Sequence, residues 1–449
     1  MPNNDVGFEV VVKPDESSRS VYEPDAYPSL ENLEEFRKNP GTSIKAARKL
    51  ANNGITINHV SDFSISASCP AGKFEDLFST QISELQPPDR DNIPEDYVFR
   101  APEQGAPFSI PDTDGLDQLI DRAYIQHDPI LFAGERPVPP FWDDKFRLRV
   151  PGDVAQIMNA SSVHKLGITG KGVKVAMSDT GFYHHPYFKD QEYNFLAVTA
   201  PDRVDHTTDP HGHGTGESAN LFATAPGINF IGIKMGNTTL AIKTATDFKP
   251  DIMTNSWGYS VDGPLPGMPN WLIPLHLAVL DAISRGITVC FSAGNGHYGF
   301  PGSMPEVISV GGTIVDENLN YSATEYTSGF DSTWFPGRST PDVCGLCGVP
   351  PTADYIALPV QSGAVIERDG GWGAFSGTSA SSPMVAGVCA LLKQADGSLS
   401  PNDIKNILKF TARDITVGQN AHGRPATPGP DGATGFGLVD ARRAVDAVI

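Results

Sequence analysis

The chain has 449 residues, more than one ordinary core accommodates, so a large domain with a smaller companion is expected. Hydrophobic residues make up 39% of it, enough for globular folding, whereas the formal net charge of −20 argues against nucleic acid or an anionic membrane, which would need a basic patch; neither is expected as a partner. There is no apolar run of about twenty residues and no basic-then-apolar leader pattern near Met1, so the expectation is a soluble, cytoplasmic protein.

In chain order, Phe8, Val10 and Val12 alternate as in a half-buried strand. A helix is predicted from Ser43 to Asn52, with Ile44, Ala47 and Leu50 on one face and Gly54 as its stop. Alternating stretches at Ile55 to Val60 and Phe63 to Ala67 come next, then a short helical pattern carrying Phe74, Leu77 and Phe78. Residues 1–88 therefore read as a small α+β domain with helices on one face of an antiparallel sheet. Residues 89–150 read as an acidic, proline-rich arm or linker: ten prolines fall between Pro87 and Pro140, and the only helical pattern runs from Leu116 to Tyr124.

A compact domain is expected over residues 151–449. It opens with helical spacing from Val154 to Leu166 and a turn at Gly170 to Gly172. Short apolar strands are predicted at Val173 to Met177, Ile228 to Met235, Asp251 to Trp257, Ile287 to Phe291, Val307 to Val310 and Tyr355 to Leu358. Helical patterns alternate with them at Gly214 to Phe222, Pro274 to Arg285, Ser381 to Lys393 and Pro401 to Thr411. Such alternation implies an α/β fold, a parallel sheet with helices on both faces, whose site lies beyond the carboxyl ends of the strands. Asp179 and Asn295 both follow strand ends. Five cysteines do not make a disulfide framework; Cys290 and Cys389 sit in apolar runs, and Cys344 and Cys347 have redox spacing without a second ligand pair, so no metal is expected.

Three segments carry chemistry. Gly377-Thr378-Ser379-Ala380-Ser381 places a serine where a glycine turn meets a helix start, and the orphan N–H groups there favour developing negative charge. Asp179-Thr180-Gly181 ends a strand, and no second Asp-Thr-Gly supplies the paired carboxylate of an aspartic protease. Asp209-Pro210-His211-Gly212-His213-Gly214-Thr215 puts a histidine at a helix start.

In the order Asp179, His213, Ser379, these segments resemble those of the subtilisin-like serine proteases. The resemblance spans roughly Pro151 to Ile449 and takes in Thr254-Asn255-Ser256-Trp257-Gly258 and Gly435-Phe436-Gly437-Leu438-Val439-Asp440-Ala441. It implies that Ser379 attacks the peptide carbonyl, His213 moves the proton, Asp179 orients the imidazole, and Asn295 donates to the oxyanion, with no cofactor for the chemistry. Ser256, Trp257 and Gly258 would line the cleft for a peptide or protein substrate, and Gly299 would form the base of the primary specificity pocket, leaving room for a large apolar residue before the scissile bond. The amino-terminal domain resembles, more weakly, the ferredoxin-like propeptides of such enzymes, which implies an intramolecular inhibitor.

Two departures stand out. The helix beginning at His213 runs directly into Ala225-Pro226-Gly227, with no room for the calcium-holding loop of many subtilisins. Glu217, one helical turn after His213, stands where subtilisins usually carry an apolar residue, and is expected to approach Asp179 and titrate with it as a coupled pair. A transamidating ligase on the same triad, or a peptide-binding scaffold with an idle triad, are the rival readings.

Overall fold

The computed structural model describes residues 5–16, 18–23, 26–85, 99–102, 115–125, 130–131, 146–261, 267–349 and 354–449. Most of the expected linker lies outside these residues.

Near the amino terminus, strand Asp5–Val12 is central in a four-stranded antiparallel sheet, in the order Thr56–Val60, Ile65–Pro70, Asp5–Val12, Ile120–Ile125. Helices Pro40–Asn52 and Ala71–Phe78 connect its members. The first starts three residues before its predicted start because Asn39 caps it, accepting from Gly41 N at 2.9 Å, and Pro40 pre-sets the first turn. Phe8, Val10 and Val12 pack with Ala46, Leu50, Phe74 and Phe78 on one face. The helical pattern from Leu116 to Tyr124 is overturned: residues 120–125 form a strand, because pairing with Asp5–Val12 outweighs a local spacing that fits a helix.

The strand expected to be half-buried is covered on both faces. Val11 joins Val21, Leu33, Phe36 and Phe63 in a cluster with residues of helices Thr238–Asp247 and Ile273–Ser284 of the large domain. Glu9 faces the same way and meets Lys243 Nζ at 2.8 Å.

The large domain is built on a parallel sheet in the order Phe195–Thr199, Asn229–Lys234, Lys174–Asp179, Ile252–Asn255, Thr288–Ser292, Ile308–Val315. Val343–Leu346 adds in parallel to Ile308–Val315, and Tyr321–Ala323 pairs antiparallel with it. The chain starts at Lys174–Asp179, places Phe195–Thr199 at the edge on one side, returns with Asn229–Lys234 to fill the gap between them, then crosses to Ile252–Asn255 on the other side of Lys174–Asp179. The order therefore reverses between these two strands, and the crevice beyond their carboxyl ends is where a ligand site belongs. Helices His213–Thr224 and Thr378–Ala395 cover one face and Thr238–Asp247 and Ile273–Ser284 the other.

Other predicted elements also differ. The helix over 154–166 is broken into Gly152–Ile157 and Ala160–His164, with Asn159 at φ 58° between them. Strand Ile356–Pro359 is outside the parallel sheet, in a four-stranded sheet with Trp372–Phe375, Glu367–Asp369 and Leu148–Arg149. All five cysteines are buried free thiols. No helix among the described residues is long and apolar enough to cross a membrane.

Candidate active site

Asp179 is the last residue of Lys174–Asp179 and is wholly buried. His213 opens its helix after Gly212, whose φ of 94° turns the chain into the first turn. Close approach of this helix to the strand end requires a glycine after the histidine, since a Cβ on Gly214 would lie 2.8 Å from Asp179 Cβ. In that geometry His213 Nδ1 donates to Asp179 Oδ1 at 2.7 Å. Nε2 is buried with no hydrogen-bond partner among the described residues. Burial works against the imidazolium, but the charge and hydrogen bond of Asp179 outweigh it, with Glu217 and Asp209 adding, and hold His213 at about 9.

Ser379 lies in the first turn of Thr378–Ala395, entered through Gly377 at φ 104°. Its Oγ donates to Ser256 O at 3.1 Å, and Ser256 Oγ donates back to Ser379 O at 2.8 Å. The serine is thus tied to the end of the neighbouring strand in this structure, and no bond joins its hydroxyl to His213. Nucleophile and base of a resting site commonly meet only when substrate is bound.

Asn295 follows the strand Thr288–Ser292, in a loop entered and left through Gly294 at φ 108° and Gly296 at φ 86°. Its Oδ1 accepts from Thr378 N and Thr378 Oγ1, both at 2.9 Å, and Gly294 N donates to Thr378 Oγ1 at 3.2 Å. The amide is thereby oriented from the residue beside Ser379.

Ser256, Trp257 and Gly258 leave the sheet at the same crevice. The indole of Trp257 is buried, donating from Nε1 to Ser178 O at 2.9 Å and packing edge-on to Phe291, so this residue offers a cleft its backbone alone. Strand Trp257–Val261 pairs antiparallel with Tyr298–Phe300, which sets Gly299 opposite Ser260. Along its other edge, Trp257 and Gly258 pair with Leu131 and Ile130. The chain's own segment thus occupies the edge at which a peptide strand would add.

Glu217 is fully buried one turn after His213. Its Oε2 accepts from Asn220 Nδ2 at 2.8 Å rather than meeting Asp179 through a hydrogen bond. Helix His213–Thr224 runs without interruption, and no three metal-ligating side chains converge among the described residues. His211 is buried 6.0 Å from the His213 ring, and burial, together with the His213 charge, lowers it to about 3.

Two residues were not singled out in the sequence. Asp209 is buried, and its carboxylate accepts from Thr180 Oγ1 at 2.8 Å, Gly212 N at 3.0 Å, Thr215 N at 2.9 Å and Thr215 Oγ1 at 2.6 Å. It ties the loop before His213 to the segment after Asp179; its signal was an aspartate closely followed by glycine and threonine at a helix start. His422 stacks on Tyr298 at 4.9 Å and places Nε2 3.1 Å from Gly296 O, bracing the loop of Asn295 from a distant segment. Nothing local to His422 signals that contact.

A family model described as the subtilase family matches residues 170–437. The chain is 31% identical over 286 residues to serine protease AprX of Bacillus subtilis strain 168, covering 54% of this chain and 61% of that protein. It is 29% identical over 279 residues to subtilisin Savinase of Lederbergia lenta, covering 59% of this chain and 92% of that protein. The match to AprX thus spans less than two thirds of that relative's length. Fervidolysin of Fervidobacterium pennivorans, a keratinolytic enzyme related to subtilisin, has a similar fold, with a TM-score of 0.60 and 16% identity over 98% of this chain and 61% of its own.

Proposed function

This chain belongs to the subtilase family, and from that premise we propose that it is a serine endopeptidase acting through Asp179, His213 and Ser379. The observation that carries the reading is the buried 2.7 Å bond from His213 Nδ1 to Asp179 Oδ1 at the sheet's switch point, beside the helix start that bears Ser379. That bond leaves Nε2 as the free face of the imidazole. Substrate binding draws the Ser379 hydroxyl from Ser256 O towards Nε2, which takes its proton as Oγ attacks the carbonyl carbon. The imidazolium, stabilised by Asp179, then protonates the leaving amine, and water resolves the acyl-enzyme by the same route. The Ser379 N–H and the Asn295 amide receive the developing oxyanion, where preorganised donors act most strongly.

Gly299, opposite Ser260 beside the cleft strand, is the basis for proposing a large apolar residue before the scissile bond. The amino-terminal domain is proposed as an intramolecular inhibitor. Its docking on two helices of the large domain and the pairing of Ile130 and Leu131 with Trp257 and Gly258 support this. Five free thiols accord with action in a reducing compartment such as the cytoplasm.

The test is mass spectrometry of wild-type and Ser379→Ala protein after incubation with a fluorophosphonate. An adduct on Ser379 in the wild type, absent from the variant, is expected. Absence of the adduct even after the amino-terminal domain has been displaced by limited proteolysis would overturn the assignment.

A further inference from the structure

Acyl transfer by Asp179, His213 and Ser379 leaves several buried ionisable groups unused, Glu217 among them. Glu217 projects from the face of helix His213–Thr224 that carries His213, one turn along, where side chains are neighbours. One carboxyl oxygen is held by Asn220 at 2.8 Å; the other is buried with no hydrogen-bond partner among the described residues. The titratable groups that face it are His213 on its own helix, Asp179 at the end of its strand and the Cys347 thiol beyond strand Val343–Leu346. Of these, His213 alone can become positive.

A carboxylate so placed, with a single hydrogen bond, is poorly solvated unless His213 beside it is charged. Protonation of either group therefore depends on the other. We propose that Glu217 is a positioning residue for the Asp179–His213 pair: while its carboxyl holds a proton the imidazole is free to act as base, and when it is ionised it retains His213 as imidazolium. This rests on the protease reading and deepens it, because the group that must accept the Ser379 proton is then set by two carboxyls rather than one.

The electrostatics agree with the geometry. Burial pushes Glu217 up to about 7 against the pull of His213 and Asn220, with Asp179 adding to the rise. Of its two charged neighbours, His213 thus acts more strongly on Glu217 than Asp179 does. Glu217 and His213 titrate as a pair, so their apparent values belong to both.

The test is an NMR titration of the His213 imidazole in full-length protein carrying Ser379→Ala, with and without Glu217→Gln, the resonance assigned by its loss in His213→Ala protein. The isosteric amide keeps the bond to Asn220 and removes the charge. The Glu217 charge raises His213, so its removal should lower the His213 midpoint by about one unit or more, a tenfold or larger fall in proton affinity. A midpoint unmoved by Glu217→Gln would overturn the proposal. Glu217→Met serves as a second variant and should lower the midpoint in the same direction. In catalytically intact protein, the acid limb of kcat/KM should shift downward by the same amount in Glu217→Gln. Failure of the wild type to turn over peptide would sink the protease reading, while the titration would still decide the role of Glu217.

Discussion

Lys243→Met should release the amino-terminal domain from the large domain while leaving the catalytic apparatus untouched. Lys243 Nζ donates to Glu9 Oε2 at 2.8 Å, to Ser64 Oγ at 2.9 Å and to Ser66 Oγ at 2.9 Å. Side-chain exposure is 5% for Lys243 and 0% for Glu9. Methionine fills much the same space but leaves Glu9 as a buried charge without its cation. Removing one partner of a buried ion pair costs roughly 3–5 kcal/mol, so the undocked population should rise about 10²- to 10⁴-fold. The assay is the rate of fluorophosphonate labelling of Ser379 in the intact chain. If the amino-terminal domain covers the cleft and labelling waits on undocking, that rate should climb by a comparable factor. Glu9→Leu combined with Lys243→Met removes both charges, and a buried apolar pair is often as stable as the ion pair it replaces, so labelling should return towards the wild-type rate. Unchanged labelling in Lys243→Met, or a double variant as fast as the single one, would refute the argument.

Asn295→Ala should lower kcat about 10²- to 10³-fold with little change in KM, because the lost donor acts on the oxyanion formed in the transition state; steady-state kinetics on a peptide substrate checks this. Asp209→Asn offers one acceptor oxygen where two now serve Thr180, Gly212 and Thr215. Unsatisfied buried donors cost about 1–3 kcal/mol each, so its thermal unfolding midpoint should fall measurably below that of the wild type.

Elements whose formation depends on near neighbours were legible in the sequence. Strands Lys174–Asp179, Asn229–Lys234 and Thr288–Ser292 are continuous apolar runs because both faces of a parallel sheet are covered, and the intervening helices carry their own periodicity and stops. Helix Pro401–Thr411 matches its predicted bounds, since Ser400 and Asp403 form a capping box ahead of it. The segments bearing Asp179, His213, Asn295 and Ser379 could be picked out because strand ends and helix starts have local signatures, and glycines mark the turns between them.

What depended on distant partners could not be read locally. Residues 120–125 carry a helical spacing and became a strand because Asp5–Val12 offered an edge; Ile356–Pro359 looks like its neighbours but pairs with Trp372–Phe375 instead of the parallel sheet. Glu9 and Lys243, separated by 234 residues, and the brace from His422 to Gly296 O, separated by 126, exist only where two remote surfaces meet. Glu217 was visible as an anomaly of position, yet its bond to Asn220 and the enclosure of its second oxygen were decided by packing around the helix. Sequence by itself determined which segments become strands or helices and which residues end them, because backbone sterics and side-chain periodicity act over a few residues. Tertiary structure decided which edges pair, which charges lose their water and which proton His213 can hold, because these depend on what the rest of the chain brings alongside.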